Sequence, residues 1–150
     1  MKTTFKTSRI DLNRLFECNR VSAEIWNTSL ELAKNHHLET GEWITKSELQ
    51  RQTKKLFPLH SQSVQSVVHR YIWNRDSAHK AREKGYNTRY PHRTKKYYPT
   101  RWVQEAFTIF PNGKIELSLG IPFASWTTPD IMYFRSVPSP RQPIKSRMLQ

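Results

Sequence analysis

The chain has 150 residues, with 25 Lys and Arg against 12 Asp and Glu, a formal charge of +13 at neutral pH. A composition of 36% hydrophobic and 12% aromatic residues supports a packed core and excludes wholesale disorder. No apolar run approaches the roughly 20 residues of a membrane-spanning helix, and "MKTTFKTSRIDLN" lacks the apolar stretch of a signal peptide. The reading is therefore a soluble, cytoplasmic protein whose positive field faces an acidic partner, most commonly nucleic acid.

In chain order, "TTFKTSRI" reads as a short strand with Phe5 and Ile10 as its apolar residues. A helix follows, with Asp11 as its N-cap. Leu12, Leu15, Phe16, Ala23, Trp26, Leu30 and Ala33 recur at spacings of three and four and form its apolar stripe. The helix is expected to stop before Gly41. The single cysteine, Cys18, allows neither an internal disulfide nor a cysteine-based zinc site, and it reads as a buried thiol. His36 and His37 read as surface residues near the helix C-terminus, where they suit its dipole. Thr45 and Glu48 have the capping-box spacing and open a second helix. Leu49, Leu56 and Phe57 are its buried side, and Pro58 ends it. A third helix starts near Ser61. Val64, Val68, Tyr71, Arg75 and Ala78 share one face; Gln62, Gln65, His69, Trp73 and Lys80 share the other. Trp73 is expected to pack on the first helix.

The next stretch, "KAREKGYNTRYPHRTKKYYPTRW", interleaves rings with cations. Gly85, Pro91 and Pro99 exclude a continuous helix, and the stretch reads as an extended connector. Phe107 and Ile109, then Pro111-Asn112-Gly113, then Ile115, Leu117 and Leu119 predict a β-hairpin, with Asn-Gly favouring a type I′ turn. "DIMYFRSV" predicts a further strand, and the residues from 137 onward read as a solvated tail.

Catalysis needs converging groups. The acids lie mostly on helix faces beside Lys or Arg, where solvated surface is the default. A P-loop, a GxSxG elbow and a CxxC motif are all absent from the sequence. No catalytic residue, metal ligand or cofactor is nominated. Binding is legible instead: Arg70, Lys80, Arg82, Lys84, Arg89, Arg93, Lys95, Lys96 and Arg101 are candidates for neutralising phosphates. Tyr90 and Tyr98, each before a proline, are candidates for stacking on bases. About half the rings are expected in the core, Trp102 and one of Tyr97 and Tyr98 among them.

"LNRLFECNRVSAEIWNTSLELAK", then "SQSVQSVVHRYIWNRDSAHKAREKG", "RYPHRTKKYYPTRW" and "PNGKIELSLG" together resemble the N-terminal part of TnpB (OrfB-type) accessory transposases of bacterial insertion sequences. These are RNA-guided nucleases related to type V CRISPR effectors. The resemblance runs over roughly residues 1–120. It rests on Cys18-Asn19-Arg20, Trp26-Asn27 and Leu30-Glu31, on Ser61-Gln62-Ser63 with Gln65, and on the run through Gly85, Pro91 and Lys95. It implies an α+β fold in which a three-helix recognition lobe (11–84) is inserted into a small, incomplete β-barrel wedge. The wedge would take its first strand from 1–10 and further strands from 102–136, with the hairpin at 107–119. A basic aromatic connector (85–101) joins lobe and wedge, and 137–150 form a flexible tail. The implied partners are a guide-type RNA and its target DNA, read by base pairing. The family's nuclease, with three separated acids and a four-cysteine zinc element, lies further downstream, so this chain is expected to bind nucleic acid without cutting it. Both a truncated or frameshifted remnant and a stand-alone binding module fit that expectation. An alternative is a small DNA-binding regulator using the second and third helices as a helix-turn-helix. A membrane-surface protein ranks below both, because the cations do not line one face of an amphipathic helix.

Overall fold

The computed structural model describes residues 4–6, 8–119 and 131–137. Ser8, not Asp11, opens the first helix, α1 (Arg9–Thr40). The Ser8 hydroxyl accepts the Asp11 N–H at 3.2 Å and donates to the Asp11 carboxylate at 2.9 Å. Asp11 is thus a first-turn residue, where its charge suits the helix dipole. The expected strand shortens to β1 (Thr4–Lys6), and Ile10 is a helical residue, 68% exposed. At the other end Gly41 takes the left-handed conformation (φ 73°), and its N–H closes on the His37 carbonyl at 2.9 Å.

The buried face of α1 is Cys18, Val21, Ser22, Ala23, Ile25, Trp26, Ser29 and Ala33. The predicted stripe holds from Ala23 onward but not at Leu12 and Phe16, which are exposed. Length explains this: α1 has 32 residues and α3 (Ser61–Glu83) has 23. They span about 48 and 34 Å at 1.5 Å per residue, so α3 cannot cover all of α1. Cys18 lies inside, and burial pushes its thiol up to about 12.

The second helix, α2 (Lys46–Thr53), begins as expected, with the Thr45 hydroxyl accepting the Glu48 N–H. The Glu48 carboxylate does not return the bond. It binds Arg51 and Gln52, and the hydrogen bond from Arg51 holds it down at about 2. Leu49 is fully buried. The helix ends at Thr53, well before Pro58, and Lys55 turns to φ 62°. Helical spacing therefore no longer governs Leu56, which is 60% exposed, whereas Phe57 still packs against the core.

The third helix, α3, buries Val64, Val67, Val68, Tyr71, Ile72 and Ala78. Trp73 does not pack on α1: it is 58% exposed, with the Arg70 guanidinium 4.7 Å from its ring centre. Position 73 lies opposite the face carrying Val64, Val68 and Tyr71, which is the face that packs into the core.

A 3₁₀ turn (Gln104–Ala106) leads into β2 (Phe107–Ile109) and β3 (Lys114–Ser118), paired antiparallel with Ile109 opposite Ile115. The hairpin is as expected, but its turn is not type I′. The Phe110 N–H bonds the Lys114 carbonyl at 2.8 Å and the Gly113 N–H bonds the Phe110 carbonyl at 3.0 Å. Gly113 has φ 80°, while among the described non-glycine residues positive φ occurs at Lys55 alone, so Asn112 is not left-handed. Proline is the reason. A two-residue loop would need Pro111 to donate a closing hydrogen bond, and it has no N–H. The chain uses a three-residue loop instead, a type I turn with Pro111 at its second position and glycine after it.

β4 (Ile131–Val137) pairs antiparallel with β3 and also with β1, Thr4 facing Val137, giving the strand order β1-β4-β3-β2. The fold is mixed α+β. Among the described residues, the three α-helices fall between β1 and the other strands of an antiparallel sheet whose edges are β1 and β2. Leu119 is fully buried with the helical core, and Ile115, Leu117 and Trp102 pack against it. Among the described residues no helix is long and apolar enough to cross a membrane. The tail expected from 137 lies, beyond Val137, outside the described residues.

Two measurements check this packing. Leu49→Ala should lower the unfolding free energy by about 2–5 kcal/mol in urea titrations, and Leu56→Ala by no more than about 0.5 kcal/mol. Cys18 should resist a disulfide-exchange reagent at pH 8 in the native protein and react at once in guanidinium, because only the thiolate attacks.

Candidate nucleic-acid interface

From Lys84 to Gln104 the chain carries six cations and no acid. The stretch from Gly85 to Val103 has no helix or strand, yet its backbone is hydrogen-bonded, and the partners come from one side of α1. The Asn27 side chain accepts the Lys95 N–H at 2.8 Å and donates to the Lys95 carbonyl at 2.9 Å. It treats that residue as a neighbouring strand would. The Asn19 carbonyl accepts the Tyr98 N–H at 3.0 Å. The Asn19 side-chain oxygen accepts from both the N–H and the hydroxyl of Thr100, at 3.0 and 2.9 Å. The Ser22 and Thr100 hydroxyls are 2.8 Å apart, and the Trp26 indole N–H reaches the Arg93 carbonyl at 3.4 Å. Positions 19, 22, 26 and 27 face one way on a helix. The Tyr98 ring stacks on Trp26, centroids 5.0 Å apart and 26° from parallel. At the connector's start Arg82 donates to the Thr88 carbonyl at 3.1 Å; at its end the Trp102 indole N–H donates to the Ser118 carbonyl at 2.8 Å.

The clamp decides which residues face outward. Consecutive residues of an extended chain point to opposite sides. Tyr98 turns in to Trp26, so Tyr97 turns out, 52% exposed, with Phe16 edge-on at 6.3 Å and the Lys96 ammonium 5.8 Å away. Trp102 is the core-packed ring that the sequence suggests. Tyr90 and Tyr98 are placed otherwise than expected for free stacking rings. Tyr98 has one face on Trp26, and burial pushes its phenol up. Tyr90 stands perpendicular to Trp43 at 5.1 Å, its hydroxyl 3.1 Å from His79. Of the Trp and Tyr rings among the described residues, the open ones are Trp73, Tyr86 and Tyr97. Trp73 is legible in the sequence as the one large ring on the polar face of α3; Tyr86 and Tyr97 carry no signal separating them from their neighbours.

The cations are placed consistently. Arg70, Lys80, Arg82, Lys84, Arg89, Arg93, Lys96 and Arg101 are exposed and Lys95 is half-buried. None of these nine has a carboxylate within 4 Å among the described residues. Several of the acids, by contrast, are engaged within the helices: Glu17 and Glu24 by Arg20, Glu48 by Arg51, Asp76 by Arg75, Glu83 by His79. Lys95 lies 5.0 Å from the centre of Trp26 and Arg82 lies 5.3 Å from that of Tyr90, so rings rather than carboxylates offset part of the charge. Arg70, Tyr98 and Arg101 line one groove of about 300 Å³ beside α3. Two unneutralised guanidinium groups and a phenol in one groove fit a phosphate.

The clamp has a measurable consequence. Asn27→Ala removes two hydrogen bonds and should cost about 1–3 kcal/mol at roughly 0.5–1.5 kcal/mol each. Amide hydrogen exchange at Lys95 should accelerate far more than exchange at Val68 in the core. Asn27→Asp, which keeps the acceptor and loses the donor, should fall between the two.

No protein-family model matches this sequence and no curated protein matches it, so the surface itself carries the functional reading.

Proposed function

We propose that this chain is a nucleic-acid-binding module that grips RNA, and DNA paired with it, and that it corresponds to the N-terminal part of a TnpB-like RNA-guided nuclease without a nuclease site of its own. The observation that carries this reading is the set of nine cations without acidic partners among the described residues, displayed along α3 and its C-terminus and on a connector whose backbone is clamped to α1. Unneutralised cations at fixed positions gain most from a polyanion, because each phosphate contact releases condensed counterions. The order of elements supports the resemblance: the helical lobe lies between β1 and the other strands of its sheet. In this reading the four-stranded sheet is the wedge, part of an incomplete barrel. The acids already tied into ion pairs within their helices favour holding nucleic acid over metal-assisted cleavage of it. The compartment is the cytoplasm, where a bacterial partner of this kind is found.

A second reading, a duplex-DNA regulator using α2 and α3, draws on the exposed row Gln65, His69, Arg70 and Trp73 along α3. Sequence-specific duplex binding that survives Lys95→Ala, Lys96→Ala and Arg93→Ala would favour it.

Filter binding to a structured RNA should give a log–log salt slope of about −3 to −5 if four to six phosphates are neutralised at roughly 0.7–0.9 each. A flat response would overturn the proposal. Among the rings, Tyr97→Ala and Trp73→Ala should weaken single-strand binding by about 1–3 kcal/mol each with little loss of stability. Tyr98→Ala should instead cost at least about 2 kcal/mol of folding free energy. Thermal melts run beside the binding curves separate the two effects.

A further inference from the structure

A second groove, of about 690 Å³, lies between the C-terminal half of α1, α3 and the first part of the connector. That volume is in the range of small-ligand sites. Its walls are flat and apolar: Trp43, Tyr71, Tyr90 and Pro91. The Trp43 ring meets Tyr90 at 90° and His79 at 69°, and the Arg75 guanidinium lies 4.9 Å from its centre. Arg75 is in turn spent on the Ile44 carbonyl and on Asp76, so Trp43 is held rigidly. Two lining groups keep free hydrogen-bonding capacity. The Glu31 carboxylate has no hydrogen bond or ion pair among the described residues, unlike Glu17 and Glu24 on the same helix. The His92 ring uses one nitrogen on the Tyr90 carbonyl at 2.9 Å and leaves the other free. Both residues are exposed.

A free carboxylate beneath a run of cations is out of place if the groove only follows a phosphate backbone, because it would repel it. It is in place if a base enters. We propose that this groove receives one unpaired nucleobase, guanine by preference, extruded from an RNA whose phosphates lie on the connector; this rests on the nucleic-acid reading above. The Trp43 ring supplies stacking surface, and Tyr90, perpendicular to it, would meet the base edge-on. Guanine presents two adjacent N–H donors on its Watson–Crick edge, which one carboxylate accepts together; uracil has one. Flanking phosphates then meet Arg89 and Arg93, the cations on either side of the groove's connector wall, Tyr90 to His92. Unpaired bases splayed from a helix are the usual targets of proteins that read RNA.

The test uses three RNA hairpins identical but for one position: a fully paired stem, the stem with a single unpaired guanosine, and the stem with a single unpaired uridine. The whole chain should bind the guanosine bulge about 5- to 150-fold more tightly than the paired stem, the range for one base stacked on protein rings. The uridine bulge should fall between them. Glu31→Gln, an exposed change that leaves the fold intact, should reduce the preference for guanosine over uridine to less than about threefold while leaving paired-stem affinity unchanged or tighter. Trp43→Phe should keep the preference; Trp43→Ala should remove it, and a melt shows whether that variant still folds. Equal affinity for the two bulges would overturn the role of Glu31. Equal, measurable affinity for all three hairpins would overturn the base site and leave the phosphate grip standing. Absence of binding to every hairpin would overturn both.

Discussion

The arrangement depends on one contact: the polar and aromatic row Asn19, Ser22, Trp26 and Asn27 on α1 against the backbone of residues 93–100. A chain segment without helix or strand has no internal partners for its N–H and C=O groups, and each buried group left unpaired is costly. Asn27 solves this for Lys95 by presenting a carbonyl and an amide side by side, and the Asn19 side-chain oxygen accepts the Thr100 N–H and hydroxyl. Apolar burial alone could have anchored the segment, but it would have drawn its side chains inward. Amide clamps fix the main chain and leave the cations free to point out.

That freedom carries an electrostatic cost. Like charges spaced along 84–101 repel one another, and among the described residues no carboxylate pairs with them within 4 Å. Two features reduce the cost: guanidinium and ammonium groups lie over Trp26, Tyr90, Tyr97 and Trp73, and all the side chains except Lys95 remain in water. A flexible tail of the same composition would spread its charges and repel itself less. Holding them at fixed positions makes sense for a ligand with charges at fixed spacing, since the ordering cost is then met during folding rather than on binding.

The sheet anchors the other end of the connector. Trp102 hydrogen-bonds Ser118, and Leu119 enters the same core as Ile25 and Val68. Helices and strands therefore share one apolar interior, although β1 and β4 meet only after the whole helical insertion has been traversed. Connector geometry is consequently set from two directions, by α1 along its length and by β3 at its end. The connector accordingly supplies part of the walls of the groove beside Arg70 and of the groove beside Trp43.

Features governed by near neighbours along the chain are legible in the sequence itself. Gly41 ending α1, Thr45 capping α2, Ser61 opening α3 and the hairpin around Pro111-Asn112-Gly113 all follow from which backbone groups a nearby residue can satisfy. Even the turn type is implicit, since Pro111 has no N–H to close a shorter loop. The surplus of positive charge and its concentration after Lys80 are equally plain. The sequence alone does not say which rings of the connector are covered. Tyr97 and Tyr98 are the same residue type in the same local context, and the choice between them is made by Trp26, some seventy positions earlier in the chain. Nor does it place Phe16 and Leu56 outside, because helical spacing defines a stripe but neither how far the partner helix reaches along it, which decides Phe16, nor where α2 stops, which decides Leu56. Capping and turn chemistry act over three or four residues and are written locally; coverage depends on a partner remote in sequence, and only the folded chain supplies it.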